Sequence, residues 1–419
     1  MKSRIHYGEY SLKHWINLML KHNIDLPDYQ RSFVWKKDDS ERLIKSMKEG
    51  QFIQPITIAF FENDGVKQNL ILDGQQRLTT ILIAYLGLFP DKSKFDSPIF
   101  LSSDDDSAED DVSEDENGIP IQWTFKKFLE YGDTKETIIN NITSTASDYY
   151  ISVNLHCDDN FFENTFLGFS YIVPTTDNAD EKQTFFTKLF RNMNYFGKKL
   201  LPIESRKSLY FVKNDLKNFF DGTTSDNKDV LCGMSLLENM RKSQIDFVRY
   251  LSILSQYKAE DANSNKVLLG YSAYASRENY YGDYVSYIIG IDQEDRTEKF
   301  NGFQFEVVFP DNCWQSRLDT LKAEIEGLKS RMGLDSKECF SSWIDADYWL
   351  FGLIFWIVFE NKVLQQTNIE SLSAAITEII RTKKTSESYT RSPNRLGNIR
   401  ERLQESIDIY SPFVTNHAE

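Results

Sequence analysis

The sequence predicts an α+β protein in which a small mixed N-terminal domain precedes a mainly α-helical C-terminal region. Two strand-like segments, residues 56–61 and 67–72, flank the turn signal Asn63-Asp64-Gly65, which is typical of a β-hairpin. Apolar residues then recur at helical spacing from residue 78 to residue 89. Beyond residue 121, most apolar residues are spaced three or four apart, which favours helices. With 419 residues, 41% of them hydrophobic, the chain can bury a large core and form two or three domains.

The segment before the hairpin predicts a helix. Asp38-Asp39-Ser40 is typical of a helix N-terminus, and Gly50 is typical of a helix end. Between them, the apolar stripe consists of Leu43, Ile44 and Met47. Pro55 then precedes the first strand of the hairpin, so the order is helix, hairpin, helix.

The string Asp73-Gly74-Gln75-Gln76-Arg77 joins the hairpin to the second helix and is the first candidate site. The first amides of a helix lack partners, and the helix dipole adds partial positive charge there. Arg77 in this turn is therefore unfavourable unless an anion compensates it, most simply a phosphate. The alternative is that Asp73 caps the helix and that the residues after it are only solvated.

A second polar cluster lies upstream, in LPDYQRSFVW at residues 26–35. Gln30 and Arg31 are flanked there by aromatic residues, which can shield the arginine from water. The alternative is an edge segment that packs its aromatic side chains on the core. If both clusters face one cleft, two arginines hold a phosphate between them.

Residues 10–90 resemble the N-terminal domain of GmrSD-type restriction endonucleases, a branch of the ParB/sulfiredoxin superfamily, chiefly through the string at residues 73–77. The resemblance implies a ParB/sulfiredoxin-like fold that binds a nucleoside triphosphate with Mg²⁺. Its catalytic residues would be Arg31, Asp73, Gln76 and Arg77. Its nucleotide-binding residues would be Gln30, Arg31, Asp73, Gly74, Gln75, Gln76, Arg77 and Thr80. No dedicated metal site of the protein itself is expected.

The resemblance further implies an NTPase that is a component of a GmrSD-like DNA restriction and anti-phage system. The chain has five histidines and no His-Asn-His pattern, so a partner nuclease subunit is expected to cut the DNA. Sulfiredoxin chemistry is not expected, because the turn contains no cysteine. Two alternatives remain, a non-catalytic nucleotide-gated DNA-binding adaptor of the ParB kind and a stand-alone DNA nuclease.

The predicted domains are a nucleotide-binding core at 1–95, an acidic disordered insertion at 96–120, a helical region at 121–260 that completes or flanks the core, and a mainly helical C-terminal domain at 261–419. The net charge of −15 disfavours DNA binding, but residues 102–118 hold much of the acidic excess and no basic residue. The one basic concentration, at 381–402, suggests nucleic-acid contacts by Arg391, Arg395 and Arg400. A solvated helix end is the alternative.

Three further segments carry structural predictions. Residues 235–257 are expected to form a helix and residues 303–309 a strand, while the tyrosines of 271–290 either stack on bases or pack in the core. The apolar run at 348–359 is too short to cross a bilayer, which takes ~20 residues.

The four cysteines are widely spaced, and no secretory leader is recognisable, so a reducing cytoplasm is expected. Self-association is left open.

Overall fold

The chain divides into two compact units. The computed structural model describes residues 3–27, 32–63, 66–95, 121, 123–175, 178, 185, 186, 189, 202–210, 214–238, 241–268, 274–290, 298–335 and 337–416. Described residues up to 210 belong to the first unit, and those from 214 onward belong to the second. The acidic segment at 102–118 lies outside the described residues.

The first unit contains a four-stranded mixed sheet and a two-stranded sheet. Its strands are β1 (Ser3–Ser11), β2 (Ile56–Asn63), β3 (Val66–Asp73), β4 (Leu88–Pro90), β5 (Tyr150–Ser152) and β6 (Phe166–Pro174). The larger sheet has the order β1-β6-β2-β3, in which β6 runs antiparallel to β1 and parallel to β2. The antiparallel pairing of β2 with β3 confirms the predicted hairpin.

Helices cover the sheet of the first unit. They are α1 (Leu12–Leu20), α2 (Lys37–Lys48), α3 (Gln75–Leu86), α4 (Lys126–Leu129), α5 (Lys135–Thr145), α6 (Asp159–Asn164) and α7 (Pro202–Tyr210). The main core lies on one sheet face, where Trp15 of α1 and Leu78 and Ile81 of α3 are fully buried. The predicted helix before the hairpin is confirmed as α2, and Gly50 follows it with a left-handed φ of 67°.

Strand β6 shows that the first unit is larger than the segment that carries the recognisable motifs. It pairs with β1 and β2, although it lies more than 100 residues beyond β2 in the chain. Described residues of this compact unit thus reach residue 210, beyond the predicted core at 1–95 and into the region at 121–260 that was expected to complete or flank it. The predicted four-part division of the chain remains a prediction.

The second unit is mainly helical, as expected for an α+β protein with a helical C-terminal region. Its helices are α8 (Asn214–Asp221), α9 (Phe247–Ala259), α10 (Tyr274–Ile289), α11 (Phe305–Val308), α12 (Trp314–Leu328), α13 (Trp343–Ile354), α14 (Ile369–Lys384), α15 (Glu387–Arg391) and α16 (Leu396–Tyr410). Its strands are β7 (Ser235–Glu238), β8 (Arg241–Gln244), β9 (Cys339–Phe340), β10 (Lys362–Leu364) and β11 (Val414–Asn416). Helix α13 continues as a π-helix over Phe355–Phe359.

Two secondary-structure predictions for the second unit are wrong. Residues 235–257 are not one helix, because β7 and β8 form an antiparallel pair before α9 begins. Strands of four residues show little alternation, and β7 also takes a partner, β9, from about a hundred residues later. Residues 303–309 form the helical turn α11 instead of a strand, since Phe305 and Phe309 pack on the ring of Phe219.

Three tyrosines of α10 pack inside the second unit. Tyr280, Tyr281 and Tyr284 are at most 4% exposed, so these three rings are not available as platforms for bases.

All four cysteines are unpaired. Within the described parts of the chain, no helix combines the length and the apolar character that a membrane span requires.

A buried ion cluster joins α9, α13 and α16. Asp347 is fully buried and accepts hydrogen bonds from Arg249 Nη1 at 2.6 Å, Arg249 Nη2 at 2.8 Å, Arg402 Nε at 2.9 Å and the Tyr250 hydroxyl at 3.0 Å. Burial disfavours the ionised carboxylate, but the two guanidinium groups outweigh burial and hold the pKa of Asp347 below its usual value. The cluster is therefore an internal tie between three helices.

Candidate functional site

The turn between β3 and α3 depends on a glycine. Gly74 is the N-cap residue of α3 with a φ of 96°, a conformation that residues with a Cβ rarely adopt. No side chain caps this helix, so Asp73 does not play the capping role of the alternative interpretation. Among the residues that the structure describes, no side chain caps the first amides of α3, as in helix termini that bind anions.

A β-bulge places Asp73 at the end of β3. The register changes from Thr57 opposite Asp73 to Ile58 opposite Ile71, so Leu72 is the extra residue. Bulges bend a strand and change the direction of the side chains beside them, and they are common next to active sites. Asp73 ends half-exposed, with 48% of its side chain accessible.

The guanidinium of Arg77 has two partners within the domain. Its Nη2 lies 2.7 Å from Asp73 Oδ2, and its Nη1 donates to the backbone oxygen of Gln54 at 2.7 Å. Only 11% of the Arg77 side chain is exposed. The anion beside Arg77 is thus the carboxylate of Asp73, four residues earlier. The prediction that Arg77 is unfavourable without a phosphate is therefore wrong, because Asp73 of the same domain compensates its charge.

Gln76 joins the two predicted clusters. Its Oε1 accepts from the backbone amides of Val34 at 3.0 Å and Trp35 at 3.4 Å, and its Nε2 donates to the backbone oxygen of Ser32 at 3.1 Å. The structure therefore brings residues 32–35 against the start of α3. Gln30 and Arg31, which directly precede this segment, lie outside the described residues.

Gln75 is buried without hydrogen-bond partners. Its side chain is the first of α3 and is 3% exposed, yet neither Oε1 nor Nε2 is bonded to any residue that the structure describes. The hydroxyl of Thr79, one helical turn later on the same face, is also buried and unbonded within the described chain. A buried amide without partners costs about 1–3 kcal/mol. A ligand or an ordered water at the helix start would satisfy such a group.

Thr80 does not reach the exposed edge of this turn. Its side chain is fully buried, and its Oγ1 lies 3.2 Å from Ser40 Oγ of α2. The hydroxyl pair fixes α2 against α3. Of the predicted nucleotide-binding residues, Thr80 therefore lies in a helix interface, while Asp73 and Gly74 lie at the turn.

Lys92 is a cationic residue beside the segment 32–36. Its Nζ donates to the backbone oxygen of Val34 at 2.6 Å. Burial lowers the pKa of Lys92 to about 8; Asp39 opposes this effect, and Lys36 adds to it. This amine therefore changes charge at a mildly alkaline pH.

At this turn, Asp73 is the candidate carboxylate ligand for Mg²⁺ among the described residues. Among the described residues, no group of three His, Cys, Asp or Glu side chains is placed to hold a metal ion. Asp73 uses Oδ2 for Arg77, and no residue that the structure describes donates to its Oδ1. A nucleotide-bound Mg²⁺ is commonly held by one or two carboxylates together with phosphates and water. Asp73 fits that kind of site.

The basic segment at 381–402 is largely neutralised within the second unit. Arg400 donates to the backbone oxygen of Val267 through Nε at 2.9 Å and Nη2 at 2.7 Å. Arg402 is buried against Asp347, and Arg381 pairs with Glu378. Lys383 pairs with glutamates and Lys384 with Asp345. Arg391 and Arg395 are exposed, and the backbone oxygen that holds Arg400 carries no charge, so nucleic-acid contacts by Arg391, Arg395 and Arg400 stay a prediction.

Three residues of the turn's surroundings were not predicted from the sequence, namely Gln54, Ser40 and Lys92. Ser40 had a signal, because it occupies the position that continues the apolar stripe of α2 at Leu43, Ile44 and Met47. Gln54 and Lys92 had none: the backbone oxygen of Gln54 accepts from Arg77, and Lys92 donates to the backbone oxygen of Val34, contacts that only the fold creates.

Comparison with known proteins identifies the first half of the chain. Residues 13–211 match the family described as "GmrSD restriction endonuclease, N-terminal domain". An uncharacterized protein of Methanocaldococcus jannaschii is 36% identical over 111 aligned residues, which cover 21% of this chain and 19% of the relative. The chain thus spans about a fifth of the curated relative that it matches. No solved structure matches the chain significantly, and the ParB/sulfiredoxin superfamily remains a prediction.

Proposed function

Residues 13–211 are a GmrSD-type N-terminal domain, and from this premise we propose that the chain binds and hydrolyses a nucleoside triphosphate in a GmrSD-like restriction system. In this proposal it acts on phage DNA together with a partner nuclease, in the cytoplasm. The family describes only the N-terminal domain, so the nucleotide and the partner are inferred from the site and from the motifs that the chain lacks.

The observation that carries the proposal is the unpartnered amide of Gln75. It lies in the first turn of the 12-residue helix α3, where backbone amides are also free of side-chain caps. A ligand with several acceptor atoms, such as a phosphate chain, would satisfy both sets of donors. A purely structural copy of the motif would gain stability from an apolar residue at this position.

The residues around Gln75 divide the remaining roles. Arg77 holds Asp73 by a charge-assisted hydrogen bond, so the carboxylate keeps one orientation and its Oδ1 is directed away from Arg77. In the proposal, Asp73 orients the attacking water and is the residue that would hold Mg²⁺. The ion would supply charge neutralisation between this carboxylate and the phosphates. The predicted Arg31, adjacent to the segment held by Gln76, would balance charge that develops on the phosphates.

One observation favours the adaptor alternative. Gln76, a predicted catalytic residue, uses both its amide atoms to hold residues 32–35. A glutamine so engaged is suited to transmit nucleotide binding to that segment, and less suited to orient water. In this alternative the nucleotide sets a conformation and is not turned over.

The test is nucleotide binding by calorimetry and phosphate release, with ATP, GTP, CTP and UTP, with and without phage DNA. The proposal expects binding and turnover by the full chain, both lost in Arg77→Ala, and binding with at least tenfold slower turnover in Asp73→Asn, as for other general-base losses. Arg381→Ala, which removes an exposed ion pair with Glu378, is the matched control and should behave as wild type.

Each outcome has a distinct meaning. Binding without turnover in the wild type supports the adaptor. Hydrolysis that persists in Arg77→Ala, with a thermal unfolding curve like that of the wild type, contradicts the assignment of the site.

A further inference from the structure

Phe52 has the highest exposed fraction of the large apolar side chains that the structure describes. Its relative exposure is 86%, compared with 77% for Tyr7 and 71% for Val307. A single exposed apolar residue is ordinary on a protein surface. Its place in the first unit is what gives Phe52 significance.

Phe52 lies two residues before Gln54, whose backbone oxygen accepts from Arg77 Nη1 at 2.7 Å. Two residues span at most ~7 Å of chain, so the Phe52 backbone lies within that distance of Gln54. Arg77 belongs to the first turn of α3, so its hydrogen bond ties the loop that carries Phe52 to the helix start.

The loop that carries Phe52 is fixed at its C-terminal side. The hydrogen bond from Arg77 holds Gln54, and Pro55 restricts the backbone before Ile56, which is fully buried in β2. On its N-terminal side, Gly50 turns the chain out of α2 with a φ of 67°. The ring of Phe52 is thus presented to solvent by an anchored loop, which lowers the entropy cost of using it in binding.

We propose that Phe52 is the stacking platform for the base of the nucleotide, and that purine nucleotides are the preferred class. This inference rests on the proposed function, in which the phosphates lie at the start of α3. An aromatic face stacks on any base, and larger bases stack more strongly. The phosphates and the base would then be read by two separate elements, α3 and the loop at 51–55.

The experiment separates the base from the phosphates by using ATP, UTP and inorganic tripolyphosphate as ligands in calorimetry, all with Mg²⁺. Phe52→Ala should weaken ATP binding about tenfold or more, because stacking on an aromatic side chain contributes on that scale. UTP binding should weaken less, and tripolyphosphate binding should be unchanged. Phe52→Trp should keep ATP affinity within about twofold of the wild type.

Phe166→Ala is the matched control, since Phe166 is a 57% exposed phenylalanine of the same unit at the start of β6. It should leave all three affinities unchanged. Equal losses of ATP and tripolyphosphate affinity in Phe52→Ala, or no loss of either, would overturn the stacking role. If the wild type binds neither ATP nor tripolyphosphate, the proposed function itself fails, and the stacking role fails with it.

Discussion

Each unit of the protein contains an arginine–aspartate pair, and the two pairs differ in the number of donors around the carboxylate. In the second unit, Asp347 is fully buried and accepts from four donor atoms on Arg249, Arg402 and Tyr250. In the first unit, Asp73 is half-exposed and accepts from one side-chain donor, Arg77. The Asp347 carboxylate has no capacity left for a ligand, whereas the Asp73 carboxylate has.

The comparison separates stabilising charges from charges available for binding. A buried carboxylate surrounded by donors is a structural tie, and its loss leaves guanidinium groups without a counter-ion. A half-exposed carboxylate held by one arginine keeps an oriented oxygen toward solvent. The neighbouring Gln75, which is buried and unpartnered, indicates that the first unit gives up stability at this turn. The predictions below test that contrast.

The largest expected effect is on stability, in Asp347→Ala. Removing this carboxylate leaves Arg249 and Arg402 buried without a counter-ion, which should lower the free energy of unfolding by about 3–5 kcal/mol. Urea denaturation followed by circular dichroism measures it. Glu378→Gln, which removes the exposed partner of Arg381, is the control and should cost under ~1 kcal/mol. Equal losses in the two variants would refute the structural role of the cluster.

The next effect concerns the turn before α3. Gly74→Ala places a Cβ at a φ of 96°, where it would overlap Ile56 Cδ1. The strain should lower the free energy of unfolding by about 1–3 kcal/mol. Gly50→Ala is the control, because its added Cβ would meet no atom within 4 Å at a φ of 67°. A smaller loss in Gly74→Ala than in Gly50→Ala would show that the turn tolerates side chains.

Gln75→Met should stabilise the free protein and abolish nucleotide binding. Methionine has nearly the same volume and needs no hydrogen bonds, so replacing an unpartnered amide should raise the free energy of unfolding by about 1–2 kcal/mol. Thermal unfolding without ligand, together with calorimetry with ATP, measures both changes. A destabilised variant would mean that the amide is satisfied in solution, and the main support for the nucleotide site would be lost.

The smallest effect is a pH dependence from Lys92. Its pKa is lowered from 10.5 to about 8 in the folded protein, so between these values the unfolded chain binds more protons than the native one. The free energy of unfolding that depends on this residue therefore rises as the pH increases from 8 to 10.5. It falls again as the pH is lowered over the same interval, and the loss is complete below pH 8. The free energy of unfolding of the wild type minus that of Lys92→Met should therefore increase from pH 8 to pH 10.5.

Lys94→Met, which removes an exposed lysine two residues away, controls for the loss of one positive charge. A difference between wild type and Lys92→Met that stays constant from pH 8 to 10.5 would contradict the burial of this amine.

Local patterns were read well from the sequence. The hairpin of β2 and β3, the helix α2 with Gly50 after it, and the start of α3 all depend on residues a few positions apart, which the chain shows directly. The resemblance to the GmrSD N-terminal domain is likewise carried by short strings and is confirmed over residues 13–211. Strands β7 and β8 were missed because each is only four residues long, and β7 also pairs with the distant β9.

What the sequence by itself determined is the motif, its position at a helix start and the family of the domain that contains it. Only the tertiary structure decided which partners the motif's side chains take. Asp73 and Arg77 are four residues apart, yet their pairing depends on the glycine turn and on the bulge at Leu72. Gln54, Lys92 and the backbone of residues 32–35 reach the site through packing. The physical reason is that helix and turn preferences act over a few residues, whereas counter-ions and buried hydrogen bonds depend on groups that meet only in the fold.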